Sequence, residues 1–135
     1  MKNRRSFFRK ITGLGITTAL FSNVIPSRAK SPEKKYFIHH VFFWLKNPED
    51  TEVRKTFEKA LRDLGTVETI QFLHIGKPAD TDRDVIDNTY HYSFLAGFKD
   101  KNGHDVYQDH PVHDKFRNEY SHLWTKVLVY DSVNL

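Results

Sequence analysis

The amino-acid sequence predicts one small α+β domain that follows an N-terminal targeting segment. Segments rich in aromatic and β-branched residues alternate with segments whose apolar residues recur at helical spacing. The chain has 135 residues, which leaves room for a single domain. Residues 1–29 are not part of that domain, because they have the layout of a signal peptide. We therefore expect residues 30–135 to fold around one modest core.

The first half of this domain predicts a strand, a helix and a second strand. In residues 36–45 both alternating sets of side chains are mostly apolar, which is typical of a strand covered on both faces. Asp50 offers N-cap chemistry for an amphipathic helix that ends near Gly65. Residues 67–75 predict the second strand. The acidic stretch at 80–88 predicts a solvated loop, because it lacks the central glycine and closing glutamate of a calcium loop.

The second half predicts a strand, a broken helix and a final strand. Residues 89–98 predict the third strand, and Asp100 can cap the helix that follows it. Pro111 interrupts this helix, which can resume over 112–120. Residues 126–133 predict the last strand. The resulting order, βαββαβ, is that of the ferredoxin-like fold.

The N-terminal segment indicates export. The paired Arg4 and Arg5, followed by aromatic residues and Arg9, resemble the motif of a twin-arginine signal peptide. The weakly apolar run at 11–24 has about 14 residues, fewer than the ~20 that span a bilayer, so no stable membrane anchor is expected. We predict cleavage after Ala29 and a periplasmic or secreted protein; the alternative is a basic amphipathic arm that stays in the cytoplasm.

Charge and cysteine content exclude several classes of protein. The formal net charge is +4, but six basic residues and no acidic residue precede Lys30, so the domain itself is mildly acidic. Its Lys and Arg residues are interspersed with Asp and Glu, which argues against binding to nucleic acid. The chain has no cysteine, which excludes disulfides, thiol nucleophiles and thiolate metal sites. These six basic residues are Lys2, Arg4, Arg5, Arg9, Lys10 and Arg28.

Two segments resemble a known family. One is the opening strand HHVFFWL at 39–45, and the other runs from Phe98 through Tyr107 to HPVH at 110–113, followed by Phe116. With the strand order, they resemble the stress-responsive A/B barrel (Dabb) domain. The resemblance implies a homodimeric α/β barrel in which two sheets face each other. Some members are plant polyketide cyclases that close a ring without a cofactor, whereas many bacterial members have no assigned activity.

The resemblance also implies roles for individual residues. The histidine base of the cyclases corresponds to His113, and the tyrosine before the HPxH motif corresponds to Tyr107. The first-strand histidine is matched to His40. A second strand histidine of the cyclases corresponds to Tyr92, where this chain departs from their pattern.

These residues predict a pocket for a small apolar or aromatic molecule. A neutral imidazole at His113 could take a proton from a carbon acid or phenol, while His40, Tyr92 and Tyr107 orient the substrate. This would be a cofactor-independent lyase or cyclase. Apolar walls with few polar groups are typical of ligand pockets. The residues expected to line this one are Phe42, Trp44, Phe94, His110, Phe116 and Trp124.

Two alternatives compete with this hypothesis. His110 could cap a helix while His113 makes one buried hydrogen bond, in which case the protein is a non-enzymatic stress-response or structural dimer. The spacing of His110 and His113 also suggests a metal site, but a proline between them lacks the geometry of zinc motifs. We therefore expect no metal and no cofactor.

The two-sided apolar strands predict a homodimer. After the helices cover one sheet face, the other face would expose apolar side chains, and a second copy of the chain could cover them. We expect Val41, Phe43 and Leu45, with Leu73 and Leu95, to lie at that interface. His40, Tyr92 and His113 are expected on the helix-facing side.

Overall fold

The computed structural model describes residues 33–135, so the predicted signal peptide lies outside the described residues. None of the helices described there is long and apolar enough to cross a membrane. The secondary structure follows the predicted order, with the second helix split in two. Its elements are β1 (Phe37–Leu45), α1 (Thr51–Leu64), β2 (Ile70–Gly76), β3 (Tyr92–Phe98), α2 (Lys101–Gln108), α3 (Pro111–Tyr120), a 3₁₀ turn (Ser121–Leu123) and β4 (Trp124–Val133).

The four strands form one antiparallel sheet in the order β2-β3-β1-β4. β1 lies in the interior of the sheet and pairs with both β3 and β4 along most of its length. This strand order, with a helix in each of the two crossover connections, is the predicted ferredoxin-like α+β fold.

Side-chain caps begin each helix where the sequence predicts one. The Asp50 carboxylate accepts hydrogen bonds from the backbone N–H groups of Glu52 (2.9 Å) and Val53 (3.3 Å), which satisfies two donors that the helix leaves unpaired. The Asp100 carboxylate accepts from Gly103 N at 2.9 Å in the same way. Pro111 occupies the first turn of α3, where its missing N–H costs nothing.

Two strands begin later than predicted because local turns precede them. β2 starts at Ile70, whose N–H donates to the Val67 carbonyl at 3.1 Å and closes a turn. β3 starts at Tyr92, because Asp87 binds both the N–H and the hydroxyl of Thr89 and holds this segment in a turn. Residues 67–69 and 89–91 are therefore not part of the strands.

The core lies between the helices and one face of the sheet. Every second residue of β1 from His39 to Leu45 is buried there, in register with Tyr92, Phe94 and Ala96 of β3. Aromatic rings pack edge to face in the centre: Phe43 lies 5.1 Å from Phe57 and 5.4 Å from Trp124, measured between ring centroids. Such pairs stabilise beyond the area they bury.

The sequence predicted the wrong sheet face for the interface residues of β1 and β2. Val41, Phe43 and Leu45 are core residues that face the helices, not interface residues. Leu73 is also on the helix side, since it pairs with Ala96 and its side chain occupies the space that a Cβ atom would take at Gly65, the residue that follows α1. Both parities of β1 are apolar, so alternation gives no signal of which face the helices cover.

The opposite side of the sheet, here called the open sheet face, is also rich in apolar and aromatic side chains. Leu95 lies there, as predicted, and pairs with His40. Phe72 is 40% exposed and Tyr130 is 61% exposed. The face comprises Ile38, His40, Phe42, Trp44, Phe72, Leu95, Leu128 and Tyr130.

Gly97 permits the packing of an aromatic ring on this face. A Cβ atom at Gly97 would lie 2.1 Å from the Phe72 ring, so only glycine lets that ring approach β3 this closely. The Phe72 ring in turn meets Tyr36 edge to face at 5.1 Å between centroids. The open sheet face is therefore a packed aromatic surface rather than a set of scattered side chains.

Candidate functional site

A cavity of about 220 Å³ lies between the helix-facing side of the sheet and the helices α2 and α3. We call it the sheet–helix cavity. Its walls are mainly apolar, and its polar groups are two imidazoles, a phenol, an amide and a guanidinium. The lining residues are His39, Val41, Phe43, Leu64, Phe94, Tyr107, Gln108, His113, Phe116, Arg117, Trp124, Val127 and Val129.

His113 enters this cavity from the first turn of α3. Its Nδ1 lies 3.0 Å from the backbone carbonyl oxygen of Gln108, an arrangement in which Nδ1–H donates and Nε2 keeps its lone pair. Burial and, next, the positive charge of Arg117 lower the pKa of His113 below its ordinary value. The ring is therefore neutral at neutral pH, the state in which it can accept a proton.

Tyr107 packs beside it. The two ring centroids are 4.8 Å apart, and Tyr107 is 1% exposed. Burial raises the pKa of Tyr107 above its ordinary value, so the phenol stays protonated and keeps an O–H that can donate a hydrogen bond. Within residues 33–135, the Tyr107 hydroxyl has no hydrogen-bond partner, which leaves it available to a molecule in the cavity.

The structure brings together five of the ten residues proposed from the sequence. The shared feature of these five is that they lie on the helix side and line the sheet–helix cavity: Phe94, Tyr107, His113, Phe116 and Trp124.

Tyr92 and His110 lie nearby but contact other groups. The Tyr92 hydroxyl donates to Glu58 Oε1 at 2.8 Å, and burial together with this bond raises the pKa of Tyr92 to about 12. His110 caps α3 by accepting from Val112 N at 3.1 Å, while its Nε2 lies 3.3 Å from Glu68. Neither lines the cavity. The alternative interpretation of His110 as a helix cap is thus confirmed.

His40, Phe42 and Trp44 lie on the open sheet face, so their placement with His113 was wrong. The sheet separates them from the cavity. The His40 and Phe42 rings contact each other at 4.2 Å between centroids, and Trp44 Nε1 donates to Thr89 Oγ1 at 3.0 Å. The physical reason is the period of two in a strand, which puts His39 rather than His40 beside the core.

Sequence reasoning missed three polar residues of the cavity: His39, Gln108 and Arg117. His39 lies on the side of β1 that faces the helices, and the sequence gives no signal that selects it over His40, because residues on both sides of this strand are apolar. Its Nδ1 lies 2.7 Å from Asp131 Oδ1, and its ring centroid lies 4.9 Å from that of His104. Gln108 and Arg117 gave no signal, because a single polar residue on a helix is most often solvated.

The fold and the cavity define an α+β domain of the ferredoxin-like class with a largely apolar cavity between sheet and helices. The chain belongs to the stress responsive A/B barrel domain (Dabb) family, whose family model matches residues 37–134. This confirms the resemblance drawn from the strand and HPxH segments. No protein of curated function matches the chain.

Solved structures share the fold. A Dabb family protein with a ferredoxin-like fold from Mesorhizobium loti is 26% identical, with a TM-score of 0.63 over 75% of this chain and 98% of that one. A dimeric ferredoxin-like protein of unknown function from Thermobifida fusca is 16% identical, with a TM-score of 0.60 over 76% and 93%. A hydroxynitrile lyase from Passiflora edulis is 14% identical, with a TM-score of 0.62 over 76% and 96%.

Proposed function

We propose that this protein binds a small apolar or aromatic molecule in the sheet–helix cavity. The observation that supports the proposal is the cavity itself: about 220 Å³, walled by apolar side chains, with His113 and Tyr107 among its few polar groups. A cavity of about 150 Å³ already accommodates a benzene ring. Apolar walls with a few polar groups give affinity through burial and orientation through hydrogen bonds.

The chemistry best suited to this arrangement is cofactor-independent lyase or cyclase chemistry. In the lyase direction, Nε2 of His113 removes the proton of a substrate hydroxyl, a carbonyl forms, and the adjacent C–C bond breaks to release a stabilised carbanion. The imidazolium then returns its proton to that carbanion, so no co-reactant is needed. Tyr107 donates a hydrogen bond to the substrate oxygen as negative charge develops there. That a hydroxynitrile lyase shares the fold agrees with this proposal.

The experiment uses the two tryptophans of the chain, one on each face of the sheet. Trp44→Phe leaves Trp124, in the cavity wall, as the single tryptophan. Aromatic aldehydes, phenols and aromatic cyanohydrins are then titrated while fluorescence and melting temperature are recorded. We expect one class to quench Trp124 and raise the melting temperature. Absence of both effects across the panel would refute the binding proposal.

Turnover is tested separately from binding. His113→Gln should still bind the compound that quenches Trp124 but lose turnover by about a hundredfold or more, the usual contribution of a general base. His110→Gln is the matched control, because it alters the same HPxH motif without lining the cavity. Equal loss in both variants would show that the motif acts through structure alone.

A second candidate function is a non-enzymatic stress-response or structural dimer. One observation favours it: the hydrogen bond from His113 to the Gln108 carbonyl and the cap made by His110 join α2 to α3 without any reaction. In that case the panel above binds nothing, and replacing His113 lowers stability only.

We propose further that the protein is a homodimer whose subunits meet through the open sheet face. This face carries large exposed or half-exposed rings, among them Phe72 and Tyr130. At ~25 cal/mol per Å², several hundred Å² of apolar surface per subunit contributes on the order of 10 kcal/mol before association costs. Dimeric relatives of the same fold agree with the proposal. Sedimentation of the untagged protein should give a dimer at micromolar concentration, and a monomer there would contradict it.

Export by the twin-arginine route completes the proposal. Its basis is the pair Arg4 and Arg5 ahead of the weakly apolar run at 11–24. A reporter that must fold before export, fused behind Ala29, should reach the periplasm. Replacing Arg4 and Arg5 together with Lys should stop delivery, and continued delivery would remove the twin-arginine assignment.

A further inference from the structure

Three side chains of metal-ligand type meet at the edge of the helix-facing side of the sheet. His39 in β1 and Asp131 in β4 are opposite each other in the strand ladder, and His104 reaches them from α2. One ligand atom from each residue lies within 4.8 Å of the other two. They form what is here called the three-residue cluster, and none of its members belongs to the HPxH motif at 110–113.

The cluster is assembled from rigid elements. His39 is 5% exposed and His104 is 8% exposed, so the fold fixes both rings. Phe37 stacks on the His104 ring at 4.5 Å between centroids. The Asp131 side chain is 42% exposed and keeps the freedom to turn its carboxylate. Two fixed imidazoles and one adjustable carboxylate are a donor set that suits Zn²⁺ and similar transition metals.

We propose that His39, His104 and Asp131 bind one divalent transition-metal ion of the zinc class. Three protein ligands leave a further position for water or another oxygen donor, as in open zinc sites. His39 also lines the sheet–helix cavity, so the ion lies at the rim of that cavity. The inference does not depend on the proposed lyase or cyclase chemistry, because ion binding is measured without any organic ligand.

Binding requires the three ligand atoms, which lie within 4.8 Å of one another, to move to the separations of one coordination sphere. His39 Nδ1 and Asp131 Oδ1 are 2.7 Å apart and share a hydrogen bond. Around a tetrahedral ion with bonds of about 2.0 Å, two ligand atoms lie roughly 3.3 Å apart. The half-exposed Asp131 can make that movement by a side-chain rotation. The ion then replaces the proton that the pair shares.

The surroundings of His104 also fit a metal ligand. A ligating histidine usually offers its second ring nitrogen to another polar group, which fixes the ring. His104 Nε2 lies 3.1 Å from the Gln108 amide, and its Nδ1 lies 3.7 Å from the Asp105 carboxylate. Whichever nitrogen binds the ion, the other has a polar neighbour on α2.

The test titrates Zn²⁺ alone into the untagged, chelator-stripped protein and measures heat of binding and metal content. We expect one ion per chain with a dissociation constant of micromolar or below. His104→Gln and Asp131→Asn should each weaken binding by at least about a hundredfold, since loss of a ligand exceeds loss of an outer partner, which costs 10- to 100-fold. His110→Gln and His113→Gln are matched controls that should bind as the wild type does.

Other outcomes overturn the proposal. Binding weaker than millimolar, or binding that His104→Gln and Asp131→Asn leave unchanged, would reduce the cluster to a hydrogen-bonded Asp–His pair. Equal loss in the His113 control would place the ion elsewhere. Melting curves in chelator show whether each variant is folded. If His104→Gln proves unstable, Asp131→Asn becomes the deciding variant, because Asp131 is partly exposed and its replacement should leave the fold intact. The imidazole NMR shifts of His39 on adding Zn²⁺ give a second readout.

Discussion

Phe42 and Phe43 are adjacent in β1 but lie on opposite faces of the sheet, so truncating each should have a different effect. Phe43 is 3% exposed and packs against Phe57, Phe116 and Trp124. Phe42 lies on the open sheet face beside Tyr90. We expect Phe43→Ala to destabilise the folded domain and Phe42→Ala to weaken dimerisation while each subunit keeps its stability.

Phe43→Ala changes the free energy of unfolding, whereas Phe42→Ala changes the free energy of association. A phenylalanine that buries about 200 Å² contributes about 5 kcal/mol at ~25 cal/mol per Å², and truncating a core Phe to Ala costs about 3–5 kcal/mol. Because about 1 kcal/mol moves the melting temperature of a domain this size by about 4–8 °C, Phe43→Ala should lower it by roughly 12 °C or more. For Phe42→Ala, loss of a central interface ring costs about 2 kcal/mol of association, about thirtyfold in the dissociation constant.

The assay combines urea unfolding with sedimentation over a dilution series. Unfolding is compared at concentrations where both variants are monomeric, so that dissociation does not lower the apparent stability. If Phe42→Ala loses as much stability there as Phe43→Ala, the two residues share a core and the assignment of faces is wrong. If Phe42→Ala leaves the dimer constant unchanged, the subunits do not meet through this face.

Three further predictions concern individual polar groups. His110→Ala should lower the free energy of unfolding by about 1 kcal/mol, the usual value of a helix N-cap, as urea unfolding would show. Tyr92→Phe should cost about 1 kcal/mol through loss of the bond to Glu58, with a double-mutant cycle isolating that term. Because burial and Arg117 lower the pKa of His113 in the folded state, its neutral form contributes stability above the ordinary value of 6.5, and that contribution is lost as pH falls from 6.5 toward the folded pKa.

Each of these has an outcome that would contradict it. His110→Asn keeps a capping side chain and should recover most of the stability that His110→Ala loses; equal loss in both would exclude capping. A coupling energy near zero between Tyr92 and Glu58 would show that their hydrogen bond contributes nothing. His113→Gln should flatten the fall in stability below pH 6.5, and an unchanged slope would assign that fall to other groups.

The order of elements could be predicted because each carries a local signal. Asp50 and Asp100 mark helix starts through side chains that bind backbone N–H groups, and Pro111 marks the break between α2 and α3. These are short-range effects that need no knowledge of tertiary contacts. The starts of β2 and β3 were predicted early because turns such as that at Val67 are fixed by hydrogen bonds that apolar composition does not reveal.

The site could be predicted in part. His113 belongs to the HPxH motif and Tyr107 lies three residues before it, so the family resemblance identifies both from the sequence alone. His39 could not be distinguished from His40, because a strand with apolar residues on both parities does not indicate which face the helices will cover. The partners of His39, namely His104 and Asp131, come from distant elements and meet only through the strand ladder and the packing of α2.

The same ambiguity has a functional consequence. A sheet that is apolar on both faces can bury one face under its own helices and keep the other for a second copy, so the sheet–helix cavity and the proposed interface share a single layer of backbone. Val41 and Phe42 are neighbours, yet one lines the cavity and the other the open sheet face. Side chains on the two faces do not touch, so substitutions on opposite faces should act additively on ligand binding and on dimerisation. Strong coupling between Trp44→Ala and a cavity variant such as His113→Gln would mean that dimerisation reshapes the cavity through the strand backbone.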